Sequence, residues 1–277
     1  MLADASERMN AEVEALGKLH CFTPAPDEAP TRARREFEKK EPEPPTPRRI
    51  SLLARLLGKR AEIEAENADN ERRHALELSK WKHVQALFDK LEEEESKKFD
   101  QQLRADPNFM QQVLEDNLQD ITWPRETLVS FEIRNAGKSV VLDVDLPEIE
   151  DLPRKVTTVP ERGYKLSVKE LKGKALQELY ARHVHGIGFR IIGEVFATLP
   201  NADEVILSAF TQRDAPTTGQ RLDTYVYSVQ VKRGDWVKIN FKNVAAVDVV
   251  ASFEPFTLRR KITKNGVFEA IVPLDAD

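Results

Sequence analysis

The sequence predicts an α+β protein, a charged helical arm of coiled-coil type followed by a mainly antiparallel β-sheet packed on one long core helix. Three observations carry this. From Ile50 to about Asp106 the chain has no proline and a single glycine, Gly58. After Trp123-Pro124 the apolar period changes to two, the mark of strands with one buried face. Residues 176–199 are apolar around most of a helical circumference, as a helix enclosed on several sides must be. The expected organisation is a short helix and Pro-rich flexible linker over 1–49, a helical arm over 50–121, and an α+β domain over 122–277.

The elements follow in order. Residues 5–19 fit a short amphipathic helix. Pro24, Pro26, Pro30 and the run Glu41-Pro42-Glu43-Pro44-Pro45-Thr46-Pro47 then remove helical donors and restrain their predecessors, so 20–49 is expected as an extended linker. Leu52, Leu53, Leu56 and Leu57 open the arm. Trp81, Val84, Phe88 and Leu91 follow at spacings of 3, 4 and 3, the period of a coiled-coil seam. Glu92 to Glu95 and Lys97-Lys98 make a solvated face beside it. Asp106-Pro107 is a helix start, a capping carboxylate followed by proline in the first turn. Val129, Phe131 and Ile133 alternate with polar residues, Asn135 to Lys138 turn the chain, and Val140, Leu142, Val144 and Leu146 return as a hairpin. After an acidic loop at 147–163, Ser167 and Glu170 fit a capping box, so helix is expected from there to about Leu199, broken near Gly173. Strands at about 204–212 and 224–233, a shorter helix within 236–253, and a closing hairpin at 256–262 and 267–272 complete the order ββαββαββ.

Charge is divided unevenly. Residues 1–121 have 20 Lys and Arg against 26 Asp and Glu, whereas residues 122–277 have 22 against 21. Neither part has the basic excess of a typical phosphate-neutralising surface, which argues against extensive nucleic-acid binding while leaving room for a local basic strip. One cysteine, Cys21, excludes an internal disulfide framework and any zinc site built on two thiolates. No run approaches the ~18 apolar residues that span a bilayer, so no membrane partner is expected and the cytoplasm is the default location.

Candidate sites are few. His183, Arg190 and Glu194 lie on one line of the core helix, separated by whole turns, with Gly186 and Ala197 leaving room beside them. The line reads either as a catalytic stripe or as an internal ion pair with a capped histidine that fixes the helix. His183 and His185 are two apart, so on a helix their rings diverge and do not share a metal. Asp143 and Asp145 share one strand face, with Glu132 on the neighbouring strand. Such carboxylates can hold a divalent cation, though more often they are the solvated side of a hairpin. Gln230 and Lys232 project together from one strand, where an acceptor and an ammonium can reach the same phosphate.

The Gln230-Val231-Lys232 strand, with Glu194 on the preceding helix, resembles the motif of restriction-endonuclease-like nucleases, in the branch where Gln replaces the acidic residue before Lys. That resemblance covers about 50 residues. It implies Mg²⁺ as cofactor, held by Glu194 and a nearby Asp, with Lys232 steadying the phosphate and Arg259, Arg260 and Lys261 gripping the nucleic-acid backbone. The family's metal-binding Asp falls at about Ser208, which leaves Asp203, Asp214 or Asp223 to compensate. A broader resemblance rests on Trp123 to Thr127, Leu142 to Asp151, His183 to Arg190 and Leu258 to Lys261. These segments are similar to the C-terminal part of an uncharacterised bacterial group whose members often begin with a small β domain, and that likeness implies no established activity. The first expectation is a binding or assembly protein associating through residues 50–106, with itself or with another protein. The second is a metal-dependent or degenerate nuclease, and the third a small-molecule enzyme using His183 and Glu194.

Overall fold

The computed structural model describes residues 2–160, 165–214 and 218–274. They divide into two compact units, Met1–Pro30 with Gln101–Asp277, and Thr31–Asp100. Among the described residues no helix is long and apolar enough to cross a membrane.

The larger unit has the expected α+β architecture. Its main sheet runs in space from Leu128–Arg134 through Ser139–Asp145, Glu204–Asp214, Arg221–Lys232 and Thr257–Ile262 to Phe268–Glu269. Strands β1 (Leu128–Arg134) and β2 (Ser139–Asp145) form the first hairpin, and Asn135 and Ala136 turn it with positive φ. A separate two-stranded sheet, β3 (Lys155–Thr158) with β4 (Ser167–Glu170), precedes the core helix α5 (Lys174–Thr198). β5 (Glu204–Asp214) returns parallel to β2, and β6 (Arg221–Lys232) pairs antiparallel with β5. β7 (Thr257–Ile262) and the short β8 (Phe268–Glu269) close the sheet.

α5 is covered on two sides, which explains why it is apolar nearly all round. The sheet presents Val140, Leu142, Val144, Val205, Leu207, Ala209, Tyr227, Val229 and Val231, all essentially inaccessible. Two N-terminal helices and a 3₁₀ turn cover the rest: α1 (Leu2–Lys18), the turn Leu19–Phe22, and α4 (Pro107–Gln119), which Asp106 caps through the amides of Asn108 and Phe109. The expected domain start at 122 is therefore too late. One sheet cannot shield a helix this apolar, and residues 2–30 and 101–121 supply the missing cover.

α1 also anchors the small sheet. The Asn10 amide donates to the carbonyl of Thr157 and accepts from its N–H, both at 2.8 Å, as a neighbouring strand would. Ser6 adds a buried hydroxyl contact to the same residue. This pairing overrides the capping box expected at Ser167, because Ser167 to Glu170 gain a full antiparallel ladder instead. The end of the loop expected over 147–163 lies outside the described residues. The helix expected within 236–253 is three short pieces: α6 (Arg233–Trp236) and 3₁₀ turns at Phe241–Ala246 and Ala251–Phe253.

In the smaller unit the short α2 (Leu52–Leu56) precedes α3 (Arg60–Ala105). The Pro-rich segment 31–49 is not the flexible linker expected. It lies along α3 as an extended strap. Arg48 pairs with Glu66 and Asn67, the Pro42 carbonyl accepts from the His74 Nε2–H at 3.1 Å, and the Trp81 indole donates to the Lys39 carbonyl. Phe37 packs against Trp81 and Phe88, and Arg32 and Arg35 converge on Glu92. His74, Trp81 and Phe88 recur every seven residues, about two turns, so one helix face meets the strap throughout. The expected seam is thereby split. Trp81 and Phe88 are occupied within the chain, while Val84 and Leu91 remain 36% and 56% exposed.

Candidate functional site

The polar line of α5 faces the helical layer. Arg190 and Glu194 form a largely buried ion pair at 2.5 Å, and Asn117 of α4 donates to Glu194 and to Thr198. Burial pushes the Glu194 carboxyl above its usual range, against the pull of Arg190. His183 is fully buried, with Nδ1 3.3 Å from the Leu16 carbonyl of α1 and Nε2 unpartnered. Burial depresses its pKa to about 4. A neutral ring whose Nδ1–H donates to Leu16 fits that contact.

His185 points to the sheet. Its Nδ1 meets the Ala181 carbonyl at 2.7 Å and its ring stacks on Tyr227 with centroids 4.9 Å apart. The Arg260 guanidinium donates to Nε2 at 2.8 Å and to the Val250 carbonyl. Burial, with no room for a second proton, holds His185 at about 3. The two histidines thus diverge as their spacing requires, one toward α1 and one toward β7.

Gln230 and Lys232 are on the other face of the sheet. On β6, Tyr227, Val229 and Val231 face α5, so the alternating Ser228, Gln230 and Lys232 face away from it. Gln230 donates to Glu204 at 2.8 Å, and Lys232 is exposed. Glu194 and the Gln-Lys pair are therefore separated by the sheet, and the arrangement expected of a restriction-endonuclease-like centre is not assembled. Ser208, at the position of that family's metal-binding Asp, bonds the buried hydroxyl of Ser228 at 2.8 Å. The signal for this was present in the sequence, because three apolar residues at 227, 229 and 231 commit the even positions to the opposite side.

The three C-terminal basic residues also part. Arg260 turns inward to His185, and Arg259 donates to the Pro273 carbonyl on the outer side. Lys261 is exposed beside Glu269. They make no common grip on a nucleic-acid backbone. Asp143 and Asp145 do share the outer face, where Asp143 accepts from the Tyr225 hydroxyl at 3.3 Å. Burial, reinforced by the charge of Asp223, raises the Asp145 carboxyl above its ordinary range. Glu132 is paired with Arg134 instead. Among the described residues no three His, Cys, Asp or Glu side chains gather as a metal site.

Open clefts lie elsewhere on this unit. One of about 520 Å³ is lined by Arg125, Glu126, Asp145, Glu148 and Arg221, and another of about 500 Å³ lies beside Trp123 between α4 and β1. The first mixes both signs of charge and suits hydrogen-bonding recognition. Neither holds His183, Glu194, Gln230 or Lys232.

One residue carries more than its sequence context suggested. Arg233, just after β6, donates to the carbonyls of Phe196, Leu199 and Ala202 and stacks on the Phe196 ring. It satisfies the carbonyls at the C-terminal end of α5, where a cation is favoured. Comparison of the chain with protein-family models, with curated proteins and with solved structures gives no match.

Proposed function

We propose that this is an intracellular, non-enzymatic binding and assembly protein in which the arm supplies association and the α+β unit presents a recognition surface. One observation carries the reading. The arm exposes eight large apolar side chains: Leu52, Leu53, Leu56 and Leu57 at 66–85%, and Leu76, Val84, Leu87 and Leu91 at 36–57%. Isolated exposed leucines are ordinary, but grouped sets on an otherwise charged helix mark surfaces that meet a partner. The placement of the ionisable groups supports the same reading. His183, His185, Glu194 and Arg260 are used within the core, and Gln230 and Lys232 stand on the far side of the sheet from them.

Sedimentation equilibrium of the full chain tests it. The expected result is a mass above that of one chain, falling to one chain when Leu56→Glu and Leu87→Glu are combined. Both positions are exposed, so helical content by circular dichroism should be unchanged. A single-chain mass at every concentration, for both proteins, would remove the arm from any role in self-association and sink the reading in this form.

A further inference from the structure

We propose that the free edge of β1, with the groove between it and α4, takes up an extended basic peptide segment of a partner protein as an added strand. The proposal locates the recognition surface of the reading above and rests on that part of it.

Three features of the larger unit point there. First, the edge is open and unguarded. β1 is the outermost strand on one side of the main sheet, beside β2, and it is seven residues long against two for β8 on the opposite side. In an edge strand of an antiparallel pair, alternate residues direct both N–H and C=O away from the sheet, ready to pair with another chain. Sheets guard such edges with proline, bulges or lysine. β1 has no proline and no lysine, and its register with β2 runs unbroken from Leu128 to Arg134. Its two charged residues, Glu132 and Arg134, pair with each other.

Second, the edge borders a groove with an apolar floor. Val129 and Phe131 face the helical layer beside Val144 and Leu142, their register partners. Those partners are inaccessible, whereas Val129 and Phe131 are only half-buried and Leu128 is 61% exposed. The three β1 residues line the cleft of about 500 Å³ together with Leu118 of α4 and Trp123. A strand added beside β1 lies about 4.8 Å from it, so its alternate side chains enter that cleft. A helix flanking an open strand edge suits an extended peptide, because main-chain bonds give affinity and alternate side chains give specificity.

Third, charge selects the occupant. Residues 107–124 contain Glu115, Asp116 and Asp120 and no Lys, Arg or His. All three acids are exposed, and among the described residues none enters an ion pair. Glu115 lines the groove, where it accepts from the neutral Gln119 amide at 3.2 Å. The groove wall therefore keeps an uncompensated negative charge, which a Lys or Arg within an apolar, alternating segment neutralises. A nucleic acid would meet like charge there, and a second copy paired edge to edge would bring the same acids to one seam.

Selection of a random nonapeptide display library on the full chain, followed by synthesis of an enriched peptide, tests this. The enriched sequences are expected to alternate apolar residues and to carry Lys or Arg, and binding should slow hydrogen exchange at alternate amides of β1. N-methylation separates the two edges of the bound strand. Methyl groups on one alternate set of peptide amides should weaken binding at least about tenfold, as several hydrogen bonds are lost, and the other set should leave it nearly unchanged. Glu115→Lys, at an exposed position, should weaken the basic peptide about tenfold with circular dichroism unchanged. A library that yields no binder, protection confined to amides away from β1, equal effects of the two methylation patterns, or binding indifferent to Glu115→Lys would each overturn the proposal. Slowing of β1 exchange by raised protein concentration alone would overturn it in favour of a second copy. The arm's association is read separately, from the mass of the chain with Leu56→Glu and Leu87→Glu, so either part can fail without the other.

Discussion

Two glycines on α5 show how differently neighbouring residues of one type are constrained. A methyl group at Gly193 would overlap the Thr23 side chain, which is buried in the chain segment laid over the helix. At Gly186 the nearest atoms are the Leu19 Cβ at 3.7 Å and the His20 amide nitrogen at 3.9 Å, ordinary contact distances. Alanine in a helix interior gains up to about 1 kcal/mol over glycine. Overpacking a filled site loses roughly 1–3 kcal/mol. Gly193→Ala should therefore destabilise by about 1–2 kcal/mol, and Gly186→Ala should be neutral or stabilising by up to about 1 kcal/mol. Urea denaturation checks both, with the midpoint moving and the slope unchanged. Equal effects at the two positions would show that the N-terminal segment is not seated as described.

The elements that were legible in the sequence are those whose signal is local and periodic. Alternation placed β1 and β2, and an all-round apolar stretch placed α5. The strap was not legible because an extended proline-rich segment has no period of its own. Its order comes from partners 18 to 60 residues away, such as Asn67 for Arg48 and Glu92 for Arg32. The docking of α1 was hidden for the same reason, since Asn10 acts as a strand edge toward Thr157, 147 residues on. In the candidate site, each residue was correctly placed on its element, but a helix line and a strand pair share a cleft only if the sheet does not lie between them. The strap yields a prediction of its own. Arg32 above all, then the backbone and side chain of Arg35, hold the Glu92 carboxyl down at about 2. A depressed carboxylate contributes stability above its unfolded value of 4.5, and that contribution is lost as pH falls toward 2. Glu92→Gln removes the charge at every pH. It should raise hydrogen exchange at the Arg35 amide at least tenfold near neutrality, because that N–H donates to Glu92 at 3.0 Å. An unchanged exchange rate there would mean that Phe37 and its aromatic partners hold the strap without the carboxylate.

For the molecule as a whole, the two units should respond to acid in different windows. His183 and His185 are buried and neutral, with pKa values lowered from 6.5 to about 4 and about 3 by loss of solvent. Between 6.5 and those values the unfolded chain binds protons that the folded core refuses, so folding stability rises with pH there and falls as pH is lowered. Glu194 works in the opposite sense, because its raised pKa favours the folded state at pH values below that of the free carboxyl. Two histidines act in the first sense and one carboxyl in the second, so the net direction is a loss on acidification. The magnitude is on the order of a few kcal/mol across the window. The strap's carboxylate begins to titrate only below 4.5. Lowering the pH from neutrality should therefore weaken the α+β core first and release the strap later. Urea denaturation from about pH 7 to 5 should show a positive slope of stability with pH approaching two protons. His183→Gln should lower that slope by about one proton, whatever it does to stability at pH 7. Amide exchange along 31–49 should remain slow across the same interval. A slope unaffected by His183→Gln would place that ring in contact with solvent, and a strap that exchanges before the core weakens would reverse the order of the two transitions.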